Sequence, residues 1–269
     1  MKPILLLALS FLILNCNSKP SYNDPIPEHD TFTIASKRVN EIRVINIWTP
    51  PKYIEENESY PVLFMPDGGI KEDFSHIANT ISKLVKAKSI PPIILVGIEN
   101  TERGRDLTGA SQSDYDAQFC PLTDGAKDFR AFILEELVPE INKKYRTQNK
   151  KGLLGESLAG LFVMETFFKS PSSFDFYIAM DPSLWWNDHQ MVSEAKSYFS
   201  SFPETPISLW YAGSSAEDIS NHTKTLEAKL NQSAPENLTW TYSDEPNEQH
   251  HTIFRATKEK ALVWTFKNL

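Results

Sequence analysis

Two cysteines in 269 residues exclude a cross-linked disulfide framework, so the chain must rely on an ordinary apolar core. Positive charge is also in deficit. With 27 Lys plus Arg against 35 Asp plus Glu, the formal net charge is -8, and no basic patch reverses it, which excludes nucleic acid as a partner. Beyond the first fifteen residues there is no apolar run approaching the ~20 residues of a membrane span. Internal repeats, low-complexity tracts and a second domain boundary are missing too. What remains is a chain that is 41% apolar and long enough for one large domain with its own core.

The one concentrated apolar run opens the chain. "MKPILLLALSFLILN" has a single lysine followed by about a dozen apolar residues, the length of a signal-peptide core rather than of a span. Residues 1–15 therefore read as an export signal. Cys16 follows directly, ahead of a polar segment containing Pro20, Pro25 and Pro27. This arrangement resembles a lipoprotein lipobox, although Asn15 stands where that motif usually has Gly, Ala or Ser. The resemblance implies that Cys16 carries lipid, that residues 16–30 form a tether, and that the exported protein faces the periplasm or cell surface from a membrane anchor; with an ordinary cleaved signal and Cys16 incidental, it is instead periplasmic or secreted. Cys120 then lacks a partner, and its loop, "AQFCPLTDG", reads as a thiol without a chemical task.

From residue 31 onward, β-rich apolar runs alternate with amphipathic ones, which predicts an α/β fold with a mostly parallel central sheet and helices on both faces. The strands expected are "EIRVINIWTP", "PVLFMPD", "PPIILVGIEN", "KGLLGES", "FDFYIAMDP", "PISLWYAGS" and "LTWTYSDEP". The main helices expected between and after them include "FSHIANTISKLVKA", "AKDFRAFILEELVPEINKKY", "GLFVMETFFKS", "QMVSEAKSYFSSF", "SNHTKTLEAKLNQS" and the closing "HHTIFRATKEKALVWTF". In the longest, Phe129, Phe132, Ile133, Leu137 and Ile141 recur at spacings of three and four, so one stripe faces the sheet.

Chemistry concentrates at "KKGLLGESLAGLFVMETFF". Gly155, Ser157 and Ala159 have the spacing of a nucleophile elbow, G-x-S-x-G, between an apolar strand and a helix. Such a turn strains the serine backbone, and its neighbours two residues away must be small to avoid the adjoining strand and helix. Ala159 adds one methyl where the motif has glycine, with Gly160 just beyond. A serine hydroxyl needs a base, and in this chain order the histidine comes last. His29 lies in the tether, whereas His76, His189 and His222 lie in or beside helical segments and read as solvated side chains. The loop "NEQHHTIF" remains, and spacing alone does not separate His250 from His251. The orienting acid is expected after the strand "PISLWYAGS", at Asp218 with Glu217 as the alternative. The Leu158 amide and that of Gly69, in "PDGGIKEDF", are the expected oxyanion donors.

These segments resemble the esterase family of α/β-hydrolases that includes ferric enterobactin esterases, S-formylglutathione hydrolases and mycolyl transferases. The resemblance runs from about residue 31 to the end. Besides "GESLAGLF", it rests on "VGIENTERGRDLTG", "FRAFILEELVPEINKKYRT", "DPSLWWND" and "EQHHTIF", all similar to the siderophore-esterase-like branch. It implies that His250, two residues before Thr252, is the base. The implied activity is serine esterase chemistry through an acyl-enzyme, without a metal or cofactor, on a small-molecule siderophore ester or a glycan ester. Acyl transfer and a non-catalytic binding module are the alternatives. Trp185 and Trp186 are expected on the ligand-bearing edge as an aromatic wall. Arg103 and Arg105 beside Asp106 read as a loop-locking ion pair, with Arg103 also a candidate for substrate contact.

Overall fold

The computed structural model describes residues 23–269; the signal peptide expected over 1–15, Cys16 and the tether as far as residue 22 lie outside the described residues. Period-two burial sorts the strand residues between two cores. In β3 (Tyr60–Met65), Val62 and Phe64 face one side and Leu63 and Met65 the other. In β6 (Phe176–Met180), Tyr177 and Ala179 likewise oppose Phe176, Ile178 and Met180. A sheet apolar on both faces must be covered on both, and this requirement sets the architecture.

The sheet has eight strands in the order β1-β2-β4-β3-β5-β6-β7-β8. The remaining members are β1 (Asp30–Ser36), β2 (Glu41–Trp48), β4 (Ile94–Ile98), β5 (Thr147–Glu156), β7 (Ile207–Gly213) and β8 (Leu238–Asp244). β2 pairs antiparallel with β1 and β4, and every later pairing is parallel. The expected mostly parallel α/β sheet is present. β1 was not among the expected strands because "DTFTIAS" has no continuous apolar run: it is an edge strand with most of its side chains at least partly exposed.

The α-helices among the described residues are α1 (Phe74–Lys86), α2 (Arg103–Leu107), α3 (Gly125–Phe132), α4 (Val138–Lys144), α5 (Leu158–Lys169), α6 (Gln190–Ser193), α7 (Ala195–Phe199), α8 (Glu217–Ser233) and α9 (Ile253–Lys267). Residues of α1 and α9 enter the core on one face of the sheet, and those of α3, α4, α5, α7 and α8 the core on the other. The long helix expected over 126–145 is interrupted by a π-helical turn, Ile133–Leu137, closed by the Val138 N–H on the Ile133 carbonyl. Pro139 follows. It has no N–H for the carbonyl four residues earlier, and a wider turn just before it absorbs the mismatch.

Helix α5 shows how tightly the sheet is covered, with ten of its residues buried. Phe167 is fully buried, its ring 5.1 Å from Phe168, 5.4 Å from Tyr177 and 5.1 Å from Phe202 between centroids. Phe167→Ala is expected to lower unfolding stability by roughly 3–5 kcal/mol, through lost apolar transfer plus the cavity left among rigid rings. Urea titration measures it, and a loss below about 1 kcal/mol would mean that the surrounding rings collapse into the space.

Candidate active site

β5 ends at Glu156 and α5 begins at Leu158, so Ser157 alone makes the turn, with φ 60° and ψ −120°. A non-glycine residue in that region stores on the order of 1–3 kcal/mol, tolerated because the flanking strand and helix hold it. The Ser157 N–H donates to the Met180 carbonyl at 3.0 Å, tying the turn to β6. Gly155 is required here. A Cβ on it would lie 2.5 Å from the carbonyl carbon and oxygen of Ala159, where the first turn of α5 folds back over the strand end.

His250, in the loop between β8 and α9, reaches this serine: its Nε2 lies 3.0 Å from Ser157 Oγ. Its Nδ1 lies 2.6 Å from Asp181 Oδ2. An ionised carboxylate only accepts, so Nδ1 carries the hydrogen and Nε2 is left as acceptor for the serine hydroxyl. Asp181 is fully buried directly after β6 and is held by Ser214, whose N–H donates to Oδ1 at 2.6 Å and whose Oγ donates to Oδ2 at 2.8 Å. Burial alone would lower the His250 pKa. The Asp181 hydrogen bond, with the negative charge of nearby carboxylates, outweighs it and raises it above the ordinary 6.5. His251, one residue on, is exposed on the cleft wall.

Two expectations are corrected. The acid beside His250 is Asp181, not Asp218 or Glu217, which are exposed in the first turn of α8. There they complement the helix dipole, the ordinary place for such acids. A signal for Asp181 was available, since it follows the fully buried run "FYIAM", where a carboxylate has to find partners. The other correction concerns Gly69. Its N–H donates to Glu72 Oε2 at 2.7 Å, and the neighbouring Gly68 N–H to the Ile98 carbonyl at 2.9 Å, so neither stands open for an oxyanion. The Leu158 N–H, as the first of α5, has no carbonyl within its helix to bond.

The cleft at Ser157 has two arms. One, of roughly 500 Å³, is polar and is lined by Asp67, Glu72, Asn100, Arg103, Glu156 and Arg255 among others. The second, of roughly 390 Å³, is lined by Phe119, Leu158, Trp185 and Ile219, with Asp218 at its side. The two tryptophans therefore separate. Trp185 faces the second arm, edge-on to Phe119 at 5.1 Å. Trp186 is buried and donates through Nε1 to the Gly109 carbonyl at 3.0 Å, a structural position rather than a ligand wall.

Arg103 lies between the arms, gripped by both Asp67 oxygens at 2.7 and 2.8 Å. Arg105 makes the loop-locking pair with Asp106, to which the buried Arg43 also binds at 2.6 Å. Cys120 is buried, and burial raises its thiol pKa, as suits an inert sulfur. His76 departs from its expected solvated state: it is buried, with Nε2 2.9 Å from Asp73. His189 and His222 stack on each other at 4.9 Å.

Residues 36–265 match the model of a family described as "Putative esterase". The chain is 28% identical over 236 residues to the ferri-bacillibactin esterase BesA of Bacillus subtilis, covering 77% of this chain and 78% of that one. Among solved structures, it is similar to an IroE-like serine hydrolase from Shewanella oneidensis, with a TM-score of 0.80 and 27% identity over 90% of this chain and 81% of that one. The BES protein of Bacillus cereus has the same fold, with a TM-score of 0.78 and 22% identity over 91% of this chain and 98% of that one.

Proposed function

The chain belongs to this esterase family and is a carboxylic ester hydrolase, and from that premise we propose that it cleaves esters through an acyl-enzyme on Ser157, with His250 as base and Asp181 as orienting acid. The observation carrying this reading is the continuous relay from Ser157 Oγ to His250 Nε2, 3.0 Å, and from Nδ1 to Asp181, 2.6 Å. As Oγ attacks the ester carbonyl carbon, Nε2 takes its proton, and Asp181 stabilises the imidazolium. The carbonyl oxygen becomes negative in front of the Leu158 N–H and the N-terminal end of α5. Collapse of the tetrahedral species breaks the bond to the alcohol oxygen, which receives the proton from His250. Water, deprotonated by the same nitrogen, then releases the acid and restores Ser157.

For the substrate, we favour a siderophore ester, supported by the relative that acts on ferri-bacillibactin and by the partly exposed Trp185 and Phe119 at the second arm. Labelling with a fluorophosphonate, located by mass spectrometry, tests the nucleophile. Hydrolysis of a catecholate trilactone compared with acetylated or feruloylated sugars tests the substrate. Modification of another residue, or none, would overturn the Ser157 assignment.

The base must be neutral to accept a proton, and its pKa is raised. Activity on an uncharged ester is therefore expected to fall as pH drops, with the acidic limb of kcat/KM centred above 6.5, the ordinary imidazole value. A pH–rate profile with a midpoint clearly below that value would mean that the Asp181 contact does not act on the free enzyme.

A further inference from the structure

Glu156 has no part in the relay, yet it is the residue immediately before the nucleophile and lines the polar arm. Its side chain is 18% exposed, and its charged neighbour is His250, Oε1 to Nε2 at 3.7 Å. That nitrogen already faces Ser157, so Glu156 does not orient the ring as Asp181 does. Among the described residues its carboxylate accepts no hydrogen bond from the protein. The cations around it are engaged elsewhere, Arg103 with Asp67 and Arg255 with Asp24. The other acids of the arm are held as well, Asp73 by His76, and Glu72 by the Gly69 and Asn100 amides.

A largely buried carboxylate that accepts no hydrogen bond is costly to keep. We propose that Glu156 is a specificity-determining residue, which selects a positively charged group, such as an alkylammonium, in the substrate half that occupies the polar arm. This rests on the esterase reading above. The ammonium supplies a counter-charge that His250, neutral when it acts as base, does not, in a cleft where water screens the pair only partly.

A second property follows from the same placement. Burial first, then the charges of Asp73 and Asp67, push the Glu156 carboxyl up to about 8, against the opposing pull of His250 and Arg103. The groups facing it are thus His250 and His251 before α9, Arg255 on α9, Asp73 and His76 at the start of α1, Asp67 and Glu72 from the turn after β3, and Arg103 on α2. Below about 8 the acid holds its own proton, and above it the carboxylate is free to take a cation. The preference for a cationic ester is therefore expected to grow as pH rises through that value.

The test uses two isosteric pairs, one for each half of the ester. Acetylcholine is compared with 3,3-dimethylbutyl acetate, and ethyl 4-(trimethylammonio)butanoate with ethyl 5,5-dimethylhexanoate. The readout is the ratio of kcat/KM within each pair, in which the ionisation of His250 is common to both members and cancels. In at least one pair, the wild-type ratio is expected to favour the cation and to rise about tenfold from about pH 6.5 to about pH 9. Glu156→Gln is expected to lower it about tenfold at the upper pH and to flatten its pH dependence. Ratios flat with pH in the wild type for both pairs, or unchanged by the substitution, overturn the proposal. If the variant does not fold, the wild-type pH dependence decides alone. Failure of the wild-type protein to hydrolyse either neutral ester would instead count against the esterase reading.

Discussion

Ser157→Ala is expected to cut the turnover of a short p-nitrophenyl ester by about 10,000-fold or more, and to abolish fluorophosphonate labelling. The loss is large because the base loses its nucleophile: His250 Nε2 would face a methyl, and Cys120 is a buried thiol whose pKa is raised rather than lowered. The fold should not suffer. Alanine keeps the same φ 60° backbone, the Met180 hydrogen bond involves the main chain, and only a partly exposed hydroxyl is removed. A melting temperature within about 2 °C of wild type, with activity gone, is the expected pair of results. Retention of more than a few per cent of activity would point to a different nucleophile.

Asp181→Asn is expected to cost about 1,000- to 10,000-fold in kcat, whereas Asp218→Asn and Glu217→Gln should each stay within about twofold. An asparagine at 181 presents either an amide N–H or a carbonyl to Nδ1. It no longer stabilises the imidazolium that forms when Ser157 gives up its proton. Asp218 lies near enough to raise the His250 pKa through its charge but makes no hydrogen bond to the ring, and its exposure lets water screen it. The adjacent histidines divide in the same way. His250→Ala should lose several orders of magnitude, and His251→Ala should remain active, because only the first has both ring nitrogens engaged. If Asp218→Asn were the more damaging of the two aspartate changes, Asp181 would have to be a buried structural acid and the relay would be misassigned.

The serine was legible because everything that defines it is local. A small residue two before and two after, an apolar strand behind and a helix ahead are all written within a dozen residues. His250 was legible only in part, since two adjacent histidines share one loop and periodicity says nothing about which faces inward. The resemblance to the siderophore-esterase-like branch favoured the residue that the tertiary structure brings to Ser157. The acid was misread because three strand ends between serine and histidine carry carboxylates, one after β6, one after β7 and one at the end of β8. Choosing between them requires knowing which strand end lies beside the His250 loop. Gly69 failed for a similar reason: whether its amide is open depends on where the Glu72 side chain, three residues later, folds back.

By itself, the sequence determined the α/β layering, the place of the nucleophile and the helix stripe that faces the sheet, because apolar runs, helical period and the strand-turn-helix spacing act between near neighbours in the chain. The tertiary structure alone decided which acid completes the relay, which tryptophan faces the cleft and which amides are already taken. Those choices depend on β5, β6 and β7 lying side by side and on the β8–α9 loop arching over their carboxyl ends, where contacts join residues up to 93 positions apart. No local pattern encodes such distances. They follow only once both faces of the sheet have been buried.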